Sequence, residues 1–110
     1  LRVSYAGRSV ILGGDASKKV WGDILDHYEE EDIKADVLLA PHHGSVHNFH
    51  KDAMEAIDPD YIIVSVAVGT DYAYDEYSSI GQVLSTKWRG NIVFSIDDWG
   101  NIEYSTEHNR

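Results

Sequence analysis

The sequence predicts an α/β fold: a mixed sheet with helices mainly on one face. Three observations carry that expectation. Apolar runs of strand length alternate with stretches of helical periodicity, in the order ββ-α-β-α-β-α-ββ. Two of those runs, residues 36–40 and 61–68, are apolar almost throughout, as strands buried on both faces are. Turn residues (Gly, Pro, Asp, Asn) separate the runs at each junction.

Residues 2–5 and 9–12 flank Ala6-Gly7-Arg8, a short connection that suits a hairpin. Gly13-Gly14 then lets the chain turn tightly, so that Asp15 points into a cleft. Over residues 17–30 Val20, Ile24 and Tyr28 recur every fourth position with Trp21 and Leu25 alongside, an amphipathic helix facing the core. Pro41 ends the strand at 36–40, and a His-His-Gly-Ser turn follows. Residues 48–57 form a short helix with Ala53, Met54 and Ile57 on its apolar side, broken by Asp58-Pro59-Asp60. After the strand at 61–68 and a Gly69-Thr70-Asp71 turn, Tyr77, Ile80, Leu84 and Trp88 mark a third helix, interrupted by Gly81. Residues 92–96 and 102–105 make a final hairpin across Asp97-Asp98-Trp99-Gly100-Asn101, and residues 108–110 read as a frayed tail.

At 110 residues the chain is one domain by size. It begins at Leu1 rather than methionine, which reads as a piece of a larger or processed protein. No run approaches the roughly 18–20 apolar residues of a membrane span, so no span is expected. No basic segment followed by an apolar stretch opens the chain, and a cytoplasmic location is favoured. Cysteine is absent, which excludes disulfides and thiolate metal sites. A formal charge of -10, from 19 acidic against 9 basic residues, argues against a surface that tracks phosphates along this chain. Any nucleic-acid groove has to come from the rest of the protein.

Two motifs carry chemistry. Gly13-Gly14-Asp15 follows the apolar run at 9–12, and Pro41-His42-His43-Gly44-Ser45 follows the run at 36–40. A carboxylate and an imidazole delivered at neighbouring strand ends belong to the ligand set of zinc, manganese and iron. Alternatively, Asp15 caps the next helix and the histidines form a polar turn. Adjacent side chains diverge, so His42 and His43 are not expected to serve one point together. Ser45 either caps the following segment or donates to a substrate oxygen. His47 and His50, three apart, would share a helical face and with the histidine pair could hold zinc by themselves.

These motifs, with Ile57-Asp58-Pro59-Asp60-Tyr61-Ile62-Ile63-Val64-Ser65, make the chain similar to metallo-β-lactamase-fold hydrolases. It most resembles the branch with the ComEC-type hydrolase domain of bacterial DNA uptake. The likeness spans residues 1–105 and covers only the C-terminal half of that domain. It implies half of an αββα sandwich, with an N-terminal half-domain, or a second copy, as partner. It implies a divalent metal, zinc first and manganese second. Asp15 would be the bridging ligand and His42 a further one, with catalysis resting on Asp15, His42 and His43. His43, Ser45 and Tyr74 would meet substrate, a phosphodiester first. Two departures stand out. The family's N-terminal HxHxDH signature is missing, since no histidine precedes His27. Where relatives carry a YGHP turn this chain has Tyr72-Ala73-Tyr74-Asp75, with Tyr74 in the histidine's place. The resemblance therefore implies hydrolysis by the complete domain and inactivity of this chain alone; the competing expectation is a catalytically silent binding or assembly module.

Overall fold

A computed structural model describes residues 1–108; the rest of the expected tail, residues 109–110, lies outside the described residues. A five-stranded sheet runs in sequence order: β1 (Arg2–Tyr5), β2 (Arg8–Leu12), β3 (Val37–Leu39), β4 (Tyr61–Val64) and β5 (Gln82–Ser85). The first pair is antiparallel and the others are parallel. Each parallel step returns through a helix: α1 (Lys18–His27) and α2 (Glu30–Ile33), then α3 (Lys51–Ile57), then α4 (Tyr74–Ser78). Parallel strands need such crossovers, and the consecutive order brings every βα turn to one edge of the sheet.

Helices cover one face. Ile11, Leu38, Ile62 and Val64 point to it from three adjacent strands and pack with Trp21 of α1, Met54 and Ile57 of α3, and Tyr77 of α4. Leu38, Met54, Ile57 and Ile62 are wholly buried, and each such side chain contributes about 1.5–3 kcal/mol through removal from water. The entries of α1 and α3 are capped locally. Ser17 accepts from the Val20 N–H at 3.3 Å, and the His50 ring accepts from the Ala53 N–H at 3.1 Å.

The opposite face is covered in part by a second sheet. Strands β6 (Ile92–Ile96) and β7 (Ile102–Thr106) form the expected hairpin as a separate two-stranded ribbon. Phe94 and Tyr104 are cross-strand partners, and both rings meet Tyr61 of β4, at 5.3 and 5.4 Å between centroids. Gln82 donates to the Tyr104 hydroxyl, Arg8 to the Gly100 carbonyl, and the Tyr5 hydroxyl to Asp98. All four anchors lie toward the starts of the parallel strands. The hairpin thus shields that end of the second face, while Leu12, Leu39 and Ile63 stay half-buried or exposed near the other end.

Three expected helices differ from those observed. The helix over 17–30 ends at His27, because Tyr28 and Glu29 are extended; a separate turn of helix, α2, then buries Ile33. Its three acidic residues sit at a helix N-terminus, where the dipole favours them. The helix over 48–57 begins only at Lys51. The helix over 77–88 does not form. Tyr77 lies within α4, Leu84 is a buried residue of β5, and Trp88 belongs to a short helix α5 (Thr86–Arg89) and is half exposed. Pairing with β4 gives Gln82–Ser85 a full ladder, and that outweighs a helical spacing already weakened by Gly81.

The Tyr77 hydroxyl is buried with no hydrogen-bond partner among the described residues, and burial pushes its ionisation up. The ring packs edge-on against Phe49 at 4.9 Å, a contact that phenylalanine keeps. Tyr77→Phe is therefore expected to raise stability by about 1 kcal/mol in urea denaturation, because an unsatisfied polar group leaves the core. A loss of stability would show that the hydroxyl is satisfied.

Candidate functional site

The βα turns after β2, β3 and β4 meet at the carboxyl edge of the sheet, where open α/β folds collect their ligand-binding groups. Gly13 lets the first two approach. A β-carbon there would stand 2.7 Å from the Leu39 carbonyl oxygen and 2.9 Å from the Pro41 nitrogen. The Gly13 N–H donates to Leu39 and the His42 N–H to Gly14, at 3.0 and 2.9 Å.

After Pro41 the chain turns left-handed at three successive residues. His42 has φ/ψ of 49°/43°, His43 has 54°/31°, and Gly44 has φ of 77°. Two adjacent non-glycine residues in this region cost about 1–2 kcal/mol each. Gly44 admits no other residue: a β-carbon would lie 2.7 Å from a Val64 methyl. What holds the strained turn is visible in the imidazoles. His42 donates from Nε2 to the Asp15 carbonyl and His43 from Nδ1 to the Ser65 carbonyl, each at 2.6 Å. The two rings diverge, as neighbours do, and each fastens the β3 turn to a flanking strand end. A carbonyl can only accept, so neutral His42 keeps Nδ1 and neutral His43 keeps Nε2 as its basic nitrogen. Donation of one ring N–H to a carbonyl is how reactive and metal-binding histidines are commonly oriented.

The turn after β4 completes a cleft of about 620 Å³. His42, His43 and Ser45 line one side, and Asp71, Tyr74 and Glu76 are among the residues opposite. The Ala73 N–H donates to the Gly44 carbonyl at 2.9 Å, and the Tyr74 N–H donates to the Tyr72 carbonyl at 2.8 Å, closing a three-residue turn. Tyr74 is thereby set across from the histidine turn and left half exposed. Four of the five residues singled out in the sequence therefore share one cleft. Asp15 does not line it: its side chain is exposed, and its contact with the site runs through its backbone oxygen.

No family model, curated protein or solved structure matches this chain.

The metal expectation can be tested on the donor set itself. Among the described residues, no three His, Asp or Glu side chains come together as a metal would need. A catalytic zinc wants about three protein ligands and a water. The chain by itself does not fit the ion. The histidine-rich alternative fails for a local reason as well. His47 lies in a 3-10 turn (Val46–Asn48), whereas His50 spends Nδ1 capping α3, so the two do not share a helical face. Ser45 makes no capping bond through its side chain: its N–H donates to the His42 carbonyl and its own carbonyl accepts from the Asn48 N–H. Its hydroxyl is left to the cleft.

Sequence reasoning passed over Glu76, Trp88 and Arg89. The spacing of Trp88 suggests a third helix that does not form, and that reading hides the end of β5 as a fourth contributor to this edge. Gly81 followed by Gln82-Val83-Leu84-Ser85 was the available signal.

Proposed function

We propose that the chain is the C-terminal half of a hydrolase of metallo-β-lactamase type and supplies one wall of its active site. The observation that carries this reading is the histidine turn: two adjacent left-handed histidines, each locked by a carbonyl of a flanking turn, opening on one cleft. Strain of that kind persists where the surroundings over-determine it, and functional sites are where it concentrates. His43 then orients or deprotonates a substrate through Nε2. Tyr74 and Ser45 donate hydrogen bonds to a phosphodiester or related ester across the cleft. Asp15 and His42 would hold part of the coordination shell of a zinc or manganese ion, with the remaining ligands supplied by an N-terminal half-domain. When bound, it supplies activated water and offsets charge building on the substrate oxygen.

That half-domain, or a second copy, has a place to pack, since Leu12, Leu39 and Ile63 lie open on the second face beside the site. With a charge of -10, the chain engages nucleic acid only through the rest of such a protein. No helix among the described residues is long and apolar enough to cross a membrane; we place the domain in the cytoplasm. A second reading, a silent binding module, is favoured by one observation: the carboxylate of Asp15 is not on the cleft.

The two readings separate in the full-length context. His43→Ala is expected to lower metal-dependent turnover of bis-nitrophenyl phosphate at least about tenfold, the usual scale for a group that orients a metal site. The isolated chain should bind zinc weakly in calorimetry, without defined stoichiometry. Unchanged turnover in both His43→Ala and Asp15→Ala proteins would leave the binding module.

A further inference from the structure

A second hollow opens beside the histidine cleft, at the end of β5. Tyr72 and Tyr74 form the partition: they line the cleft on one side and, with Trp88, two adjoining hollows of about 420 and 310 Å³ on the other. Tyr74 and Trp88 are 54% and 48% exposed, although the helix carrying Trp88 is anchored to the sheet. Thr86 at its start exchanges hydrogen bonds with both backbone groups of Val66, at 2.9 and 3.0 Å. The aromatic surfaces are therefore held out to solvent by rigid elements.

Charge also favours this place. The chain carries a large acidic excess, and its cations at Arg8, Lys19, Lys34 and Lys51 are each paired with a carboxylate. Four cations, Arg2, Lys18, Lys87 and Arg89, have no carboxylate partner among the described residues, and of these Lys87 and Arg89 flank Trp88 and line these hollows. Lys87 lies 5.4 Å from the indole centroid and donates to the Thr70 carbonyl. Asp71 lines the smaller hollow and moderates the positive charge on the Lys87 side, so the Arg89 side is the more favourable for an anion. Flat π-faces beside unpaired cations recognise a planar ring that bears a negative group; stacking contributes about 1–3 kcal/mol per base. The acidic surroundings repel a long polyanion, and the volume suits a single nucleotide.

We infer that Tyr74, Trp88 and Arg89 form a subsite for a nucleoside monophosphate unit, the ring lying against the two aromatics and the phosphate on Arg89. This extends the hydrolase reading by naming a ligand class. Its test reads binding alone, so it stands or fails separately from turnover.

The test is titration of the full chain with adenosine monophosphate, followed through the three indole N–H signals in NMR. Trp21 in the core and Trp99 at the hairpin tip serve as internal references. The Trp88 signal alone should move. Adenosine, ribose phosphate and inorganic phosphate should each bind about tenfold more weakly or worse, since each lacks one half of the recognition. Arg89→Gln should reduce affinity for the nucleotide about tenfold and leave adenosine unchanged, while Trp88→Phe, which keeps a stacking face and the fold, should retain most of it. Movement of Trp99 to the same extent, equal binding of nucleotide and nucleoside, or an unaffected Arg89→Gln protein would each overturn the assignment.

Discussion

Replacing Gly13 with alanine is expected to destabilise the chain by about 3 kcal/mol, at the upper end of single substitutions, and to loosen the histidine turn with it. The added β-carbon meets the Leu39 carbonyl, the Pro41 nitrogen and the Pro41 α-carbon, at 2.7, 2.9 and 3.1 Å. All three are backbone atoms of β3 and its turn, so no side chain can swing aside. The ends of β2 and β3 must separate. That separation strains three bonds at once: Gly13 to Leu39, His42 to Gly14, and the His42 ring to Asp15. Asp15→Ala is the control, because it leaves the backbone oxygen that holds His42 in place. Its expected effect on stability is within about 0.5 kcal/mol. Urea denaturation of both proteins gives the energies, and NMR signals of the two imidazoles report the turn. An unmoved His42 in a Gly13→Ala protein would show that the two motifs are not mechanically joined.

Much of this arrangement was legible in the residues because strand-end turns have a distinct chemistry. Apolar runs ending in Gly13-Gly14 and in Pro41 placed both motifs on one sheet edge, and parallel pairing brought them together. The direction of Asp15 was not legible: the sequence records a carboxylate, whereas the contact that matters uses a carbonyl that any residue would offer. The third helix was misread because Tyr77, Ile80, Leu84 and Trp88 satisfy a helical spacing by coincidence. They are a helix residue, a turn residue, a buried strand residue and a half-exposed aromatic. Burial on both faces holds for Val37 and Leu38 of β3 but not for β4, whose Tyr61 and Ile63 are only half-buried, and the cover of the second face was sought in a missing partner. Part of that cover is the chain's own hairpin, whose alternation of Ile92, Phe94 and Ile96 with Val93 and Ser95 already announced one apolar side.

That cover hinges on Tyr61. Its ring is the only aromatic among the described residues of the five-stranded sheet's interior strands, and it receives both Phe94 and Tyr104, which also stack on each other at 5.4 Å. Tyr61→Ala is expected to cost about 2–3 kcal/mol, combining lost apolar burial with two aromatic contacts of about 0.5–1.5 kcal/mol each. The remaining ties of the hairpin, through Gln82, Arg8 and Tyr5, are hydrogen bonds with exposed or half-exposed partners and cannot hold it against solvent alone. Val37 should then lose its shelter and join Leu12, Leu39 and Ile63 in one continuous apolar strip. Soluble monomers rarely expose such a strip, so the variant should self-associate where the parent chain does so less. Tyr61→Phe keeps the ring and should match the parent to within about 0.5 kcal/mol. Light scattering and hydrophobic-dye binding across the three proteins decide the matter. If Tyr61→Ala stays monomeric and dye-free, the hairpin is not what shields this face, and the second sheet must be held by contacts at its tip.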